Sequence, residues 1–272
     1  MEISNQEREQ FLETLWTQYA ALARAELPWR QAGPGGQFDP YRIMVSEIML
    51  QQTQVARVIP KYHEFLQLFP DVATLAAADL GEVLRAWQGL GYNRRAKFLW
   101  QAAQILDTLK YFPRTAEALV ALPGIGKNTA GAILAYAYNL PALFIETNVR
   151  TVYIHHFFAD RTDVSDKELG EVLDQTLDRE QPREFYWALM DYGSHLKATV
   201  GNANKASKHY VKQSQFHGSR RQVRGHVLRL LSQRAQSPEE LRRAIDDTRL
   251  PEVLDALIQE GMVRLADGSY TL

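Results

Sequence analysis

Apolar residues recur every three or four positions along most of this chain, the spacing of amphipathic helices. From Gln6 to Leu27 the apolar face is Phe11, Leu12, Leu15, Trp16 and Tyr19, and Pro28 ends the run. Gln31 to Phe38, rich in Gly and Pro, reads as a loop. Tyr41 to Val58 (YRIMVSEIMLQQTQVARV) is apolar nearly all round, which marks a buried helix. Further helices are expected over 61–68, 75–87, 95–109, 116–121, 128–138, 169–177 and 185–196. Another is capped by Thr147 and runs on through Val149, Val152 and Phe157. Strand patterns are nearly absent, so this part of the chain is expected to be all-α. From Arg221 the pattern changes. A helix over 223–234 is followed by a second, opened by the capping box Ser237-Pro238-Glu239-Glu240, and a third over 251–260, closed by Gly261. Two short strands flank Asp267-Gly268. Three helices and a β-hairpin over 220–272 read as a winged-helix module. Its third helix carries Glu252, Asp255 and Glu260 and no Lys or Arg, so it suits bracing or a protein partner better than reading a DNA groove.

A few polar residues stand out against this pattern. Glu47 lies inside the apolar helix, with Ile43 and Leu50 on its own face. Burial raises a carboxyl pKa and keeps it protonated near neutral pH, as a general acid requires; a structural Glu paired with an Arg fits the same position. Gln51, Gln52, Thr53 and Gln54 at the helix end suit either contacts to base edges or a cap. Tyr92 sits on a glycine loop beside Arg94 and Arg95, as a wedge between bases or as a ring packed under its own loop. Leu122-Pro123-Gly124-Ile125-Gly126-Lys127 is a tight hairpin whose following helix opens with unpartnered N–H groups. That is a phosphate seat, or an ordinary turn between helices. Glu146 falls at the mouth of the next helix, where the dipole is expected to lower its pKa. One neutral and one ionised carboxylate make up the pair used in glycosidic bond cleavage. His155 and His156, adjacent on a helix, face different ways and are not expected to share a metal.

Composition narrows the choices. The chain has 272 residues, 46% of them hydrophobic, and a net charge of -1. It is globular, and its overall charge favours no partner. The distribution is more telling: from Lys197 to Arg234 there is no Asp or Glu, the footprint of a polyanion site or of a solvated basic loop. There is no cysteine, which excludes disulfides, thiolate zinc sites, cysteine nucleophiles and cysteine-bound iron–sulfur clusters; no cofactor is expected. No signal peptide or bilayer-spanning run is visible, so the expected location is cytoplasmic, with no membrane partner.

SEIMLQQTQV, GLGYNRRA, LPGIGKNTAGAIL and WALMDYG, in this order, resemble the helix–hairpin–helix (HhH-GPD) DNA glycosylase superfamily, and most closely its adenine glycosylase branch. The resemblance covers roughly Leu27 to Gly193. It implies two α-helical lobes with a cleft between them, here a six-helix lobe over 31–139 and a second lobe from 1–30 plus 140–219. It also implies kinked duplex DNA carrying a lesion or mismatch, with the target nucleotide flipped out. By this resemblance Glu47 is the general acid and Glu146 stands where the family has an Asp that stabilises the sugar cation. Tyr92 is the wedge, flanked by Arg94 and Arg95, and Gln51, Gln52 and Thr53 contact the opposite base. Gly124, Gly126, Lys127, Asn128 and Thr129 grip phosphate, and the carbonyls of Leu122 and Ile125 hold a monovalent cation. Bifunctional members carry Lys where this chain has Asn128, which implies a monofunctional enzyme.

The chain departs from the family in three ways. No cysteines follow the WALMD helix, and the basic segment there, with Lys205, Lys208, Lys212, Arg220 and Arg221, is expected to supply DNA-contacting cations instead. The winged-helix module stands in the place of the 8-oxoguanine recognition domain. Glu146 replaces Asp, which moves the carboxylate by about one C–C bond. The expected activity is excision of a damaged or mispaired base, an adenine mismatch foremost, by a monomer. The alternatives are another lesion (a mismatched pyrimidine or an alkylated base) or a non-catalytic DNA-binding protein.

Overall fold

The computed structural model describes residues 1–109, 111–212 and 215–272. The chain runs through α1 (Asn5–Leu22), α2 (Pro40–Leu50), α3 (Val55–Leu68), α4 (Val72–Ala77), α5 (Leu80–Ala86), α6 (Arg94–Leu109) and α7 (Ala116–Val120). It continues through α8 (Lys127–Tyr138), α9 (Thr147–Phe157), α10 (Asp166–Thr176), α11 (Pro182–Thr199), α12 (Arg220–Gln233), α13 (Pro238–Ala244) and α14 (Leu250–Gln259). It ends in an antiparallel hairpin of β1 (Arg264–Ala266) and β2 (Ser269–Thr271), with Leu265 opposite Tyr270. The fold is all-α apart from this hairpin, as expected. Among the described residues, no helix is long and apolar enough to cross a membrane.

The molecule divides into two compact units, Met1–Glu47 with Phe112–Lys212 and Ile48–Tyr111 with Gln213–Leu272. These bounds differ from those expected. Residues 112–139 group with 1–47 and 140–212 because α8 packs on α11: Tyr136 stacks on Trp187 with ring centroids 6.2 Å apart. Phe144, just beyond α8, stacks on Tyr186 at 3.8 Å. The core of this unit also takes Phe11 and Leu15 of α1 and Val149, Val152 and Tyr153 of α9.

In the second unit, residues 220–272 are built into the helices of 48–111. Glu260, at the end of α14, pairs with Arg94 of α6 at 2.6 Å and with Arg224 of α12. Lys97 donates to the Glu260 carbonyl. The acidic residue that argued against groove reading is therefore occupied internally. The three helices and the hairpin form as read from the sequence, and Gln236 adds a bridge to Tyr270. Trp87 and Phe65, both fully buried, meet edge to face at 5.9 Å beneath these helices.

Three helix boundaries moved for identifiable reasons. α1 stops at Leu22 rather than Leu27, because the backbone N–H and guanidinium of Arg24 turn to Asp191, at 3.1 and 2.6 Å. The predicted helix over 75–87 is two, because Asp79 opens a new capping box with Glu82. The run from Tyr41 to Val58 breaks after Leu50, where Gln52 adopts a left-handed conformation (φ +55°).

Candidate active site

The first unit holds both carboxylates. α2 buries Tyr41, Ile43, Met44, Val45, Ile48 and Met49, so its packing leaves Glu47 little solvent. The carboxyl of Glu47 is pushed well above the usual carboxylate range, first by burial and then by the charge of Glu146; the Arg30 guanidinium works against both. Glu146 is the N-cap of α9, the position expected of Thr147, and its side chain makes no capping hydrogen bond. Its pKa is raised, not lowered. Burial outweighs the helix dipole, while Lys197 and then Arg150 pull the other way. The two groups differ in their surroundings: two cations, Lys197 and Arg150, act on Glu146, whereas Glu47 has the partly opposing Arg30.

Tyr136 of α8 completes this group. Its hydroxyl is pushed well above its ordinary pKa by burial and then by the charges of Glu47 and Glu146, and it stays a neutral proton donor. Trp187 carries its ring on one side and the Arg30 guanidinium, 5.2 Å away, on another. Arg30 is held by a two-pronged pair with Asp191, Nη1 to Oδ2 at 2.7 Å and Nη2 to Oδ1 at 3.0 Å. Asp191 thus anchors Arg24 together with Arg30, whose charge acts on Glu47.

The start of α9 is set from several sides. Gly193 of α11 lies against Asn148, so closely that a Cβ there would come within 2.5 Å of the Asn148 carbonyl. Asn128 holds the residue preceding Glu146 at both ends of its peptide: Nδ2 donates to the Ile145 carbonyl at 2.9 Å, and the Ile145 N–H donates to Oδ1 at 3.3 Å. Asn128 was expected to grip phosphate; its side chain instead braces the backbone beside Glu146. The hairpin ahead of α8 places Gly124 at φ +78°, where a side chain would be strained, and Gly126 caps α8 with no side-chain oxygen. Gly124, Gly126 and Lys127 are exposed there, while Thr129 is buried. Leu122 and Ile125 are buried, and the Ile125 N–H donates to the Leu122 carbonyl at 3.2 Å.

The remaining expected residues lie in the second unit, apart from Lys205, Lys208 and Lys212, which are exposed on the first. Arg95 is not available to DNA. It is buried, and its Nη1 donates to the carbonyls of Ile48, Met49 and Gln51 at 2.7, 2.8 and 2.6 Å, while Nη2 reaches Thr53, Leu90 and Gly91. It satisfies the C-terminal carbonyls of α2 that no helical N–H can reach, and so ends that helix. Gln51 and Thr53 are half-buried and Gln52 is exposed. Tyr92, at φ +48°, lies between the guanidiniums of Arg95 (5.6 Å) and Arg221 (5.7 Å) and accepts a 2.6 Å hydrogen bond from Arg221. Arg94 is spent on Glu260, and Arg220 pairs with Glu252 at 3.0 Å.

Reading the sequence missed Arg30, Tyr136, Asn148, Asp191 and Lys197. One signal was available: an Asp in the apolar run WALMDYG and an Arg just after Pro28-Trp29 each need an opposite charge, and together they make a pair.

Comparisons with known proteins show what the whole chain is similar to. The profile of a family described as HhH-GPD superfamily base excision DNA repair protein matches residues 45–175. The chain is 34% identical to an adenine DNA glycosylase of Mycolicibacterium smegmatis, with 92% of each sequence covered. It is 32% identical to an adenine DNA glycosylase of Buchnera aphidicola, over 80% of this chain and 63% of that relative. A solved structure of a thermostable thymine-DNA glycosylase matches with a TM-score of 0.60 at 25% identity, over 70% of this chain and 87% of that one.

Proposed function

This chain belongs to the adenine DNA glycosylase family of the HhH-GPD superfamily, and on that footing we propose that it excises adenine from mismatched duplex DNA by hydrolysing the N-glycosidic bond. The observation that carries the mechanism is the pair of shielded carboxylates, with Lys197 and Arg150 acting on Glu146 and Glu47 held inside the apolar helix α2. Protonated Glu47 gives its proton to the leaving base as the bond to the sugar breaks and its electron pair passes to the base. Ionised Glu146 stabilises the positive charge that develops on the sugar. Water adds at the sugar carbon and its proton returns to Glu47, leaving a free base and an abasic site. Neutral Tyr136 lies in the field of both carboxylates.

The enzyme is monofunctional in this reading. Bifunctional relatives carry a Lys at the position of Asn128, where this chain has an amide tied to Ile145, and the amine near Glu146, Lys197 Nζ, is held by Asn148 Oδ1. Tyr92, held by Arg221, fits the wedge that enters the stack. The exposed hairpin around Gly124 and Lys127 fits a phosphate, and its neutral carbonyls at Leu122 and Ile125 are the donors that suit a monovalent cation. Exposed Lys205 and Lys212, and Lys208 beside Asp163 at 3.6 Å, add cations on the same unit.

Single-turnover excision on labelled duplexes tests the reading. Adenine opposite 8-oxoguanine or guanine should be released, with strand breaks only after hot alkali. Release from G·T or G·U instead would move the activity to a mismatched pyrimidine. Binding without breaks on any duplex would leave a DNA-binding protein.

The pH profile should be bell-shaped. Glu146 must be ionised, so the rate rises as pH passes its raised pKa. Glu47 must be protonated, so the rate falls as pH passes its own pKa, which lies well above the usual carboxylate range. Because the two charges repel, both limbs belong to the pair. A single rising or falling limb across the range where the protein stays folded would contradict the assignment.

A further inference from the structure

The resemblance implies an iron–sulfur cluster after α11, and the residues here do not fit one: the whole chain lacks the cysteine thiolates that would hold it. What occupies the place makes direct contact with the helix that begins at Glu146. Lys197, in the last turn of α11, donates from Nζ to Asn148 Oδ1 at 2.6 Å. Asn204, in a short 3-10 turn (Ala203–Ala206), is 4% exposed. Its Nδ2 donates to the Thr147 carbonyl at 3.1 Å and to Thr151 Oγ1 at 2.6 Å. Its Oδ1 is buried with no hydrogen-bond partner. A buried amide kept at that cost calls for a reason beyond filling space. The same segment is pinned on its other side by a parallel bridge to Val164, with the Val164 N–H donating to the Ala206 carbonyl and the Lys208 N–H to the Val164 carbonyl, both at 3.0 Å. Thr147, Asn148 and Thr151 are the first, second and fifth residues of α9.

We propose that the segment 197–208 is a positioning element for catalysis, in which Lys197 and Asn204 lock the first turn of α9 and thereby fix the place of Glu146. This rests on the reading of Glu146 as the group that stabilises the sugar cation. A carboxylate at the N-cap moves with the first helical turn, and a misplacement of about 1 Å costs about a hundredfold in rate. Lys197 also contributes charge. The groups facing Glu146 are Glu47 of α2, Tyr136 of α8, Arg150 of α9 and Lys197 of α11, with Arg30 acting on Glu47. Arg150 is itself shared with Asp166, at 2.8 and 2.9 Å, so Lys197 is the cation least committed to another acid.

The test is single-turnover excision of adenine opposite 8-oxoguanine, followed over pH, with duplex affinity and thermal unfolding measured on the same variants. Lys197→Met should slow excision about tenfold or more and move the acid limb to higher pH, with duplex affinity nearly unchanged. Lys197→Arg, which keeps the charge, should restore the acid limb. Asn204→Ala should slow excision and leave that limb in place, because the charge of Lys197 remains; it also keeps the proposal testable should Lys197→Met not fold. Wild-type rates and profiles in both Lys197→Met and Asn204→Ala would overturn the proposal. So would a Lys197→Met defect confined to affinity, with a shallower salt dependence, which would make Lys197 a phosphate contact. Glu146→Gln separates the two readings: full activity there refutes the role of Glu146 itself. An inactive Glu146→Gln beside fully active Lys197→Met and Asn204→Ala refutes only the positioning role.

Discussion

Glu47→Gln is expected to abolish base excision while leaving duplex binding largely intact. The amide matches the carboxylic acid in shape, so α2 keeps its packing around Ile43, Met44 and Ile48. It has no proton to give the leaving base. A positioned general acid is worth about 100- to 10,000-fold, and loss of that order removes detectable turnover. The variant also removes the carboxyl assigned to the alkaline limb, so any residual activity should show only the rising limb. Single-turnover kinetics beside a binding titration decide the matter. Excision within a few-fold of wild type would remove Glu47 from the acid role.

Asp191→Asn should be the most destabilising single change near the site. The side chain of Asp191 is 1% exposed and takes both prongs of Arg30, itself 4% exposed, together with the guanidinium and backbone N–H of Arg24. Losing one partner of a buried ion pair costs about 3–5 kcal/mol, because the other charge stays buried without compensation. Arg30 already has a buried Nε with no partner, which leaves it little room to adapt. Urea unfolding followed by circular dichroism should show the midpoint falling with an unchanged slope. A loss below about 1 kcal/mol would mean that solvent reaches this pair far more readily than its burial indicates.

How far each residue could be read from the sequence depended on how local its cause was. α8 and α9 follow from runs of small and apolar residues at helical spacing, and their bounds fall within a residue or two of the expectation. The last three helices and the hairpin follow from a capping box, prolines at helix starts and Asp267-Gly268, all local signals. The end of α2 does not, because it is enforced by Arg95, more than forty residues away. The same distance misled the reading of Arg95: next to an exposed Tyr it resembles a DNA contact, and only the fold turns it inward. Glu146 shows the error in electrostatics. Its place at a helix mouth was legible and favours the charged form, whereas its desolvation depends on what packs around it, and that effect is the larger.

The sequence by itself determined the helical class, the order of the elements, the glycine-dependent hairpin and the absence of any thiolate chemistry. Each of these depends on residue type and short spacing, so it survives without a fold. Only the tertiary structure decided which charges meet: Arg30 and Arg24 on Asp191, Lys197 on Asn148, and the two acids whose mutual repulsion separates their protonation. Those energies scale with distance and burial, and residues 49 to 167 positions apart in the chain acquire both only when the helices pack.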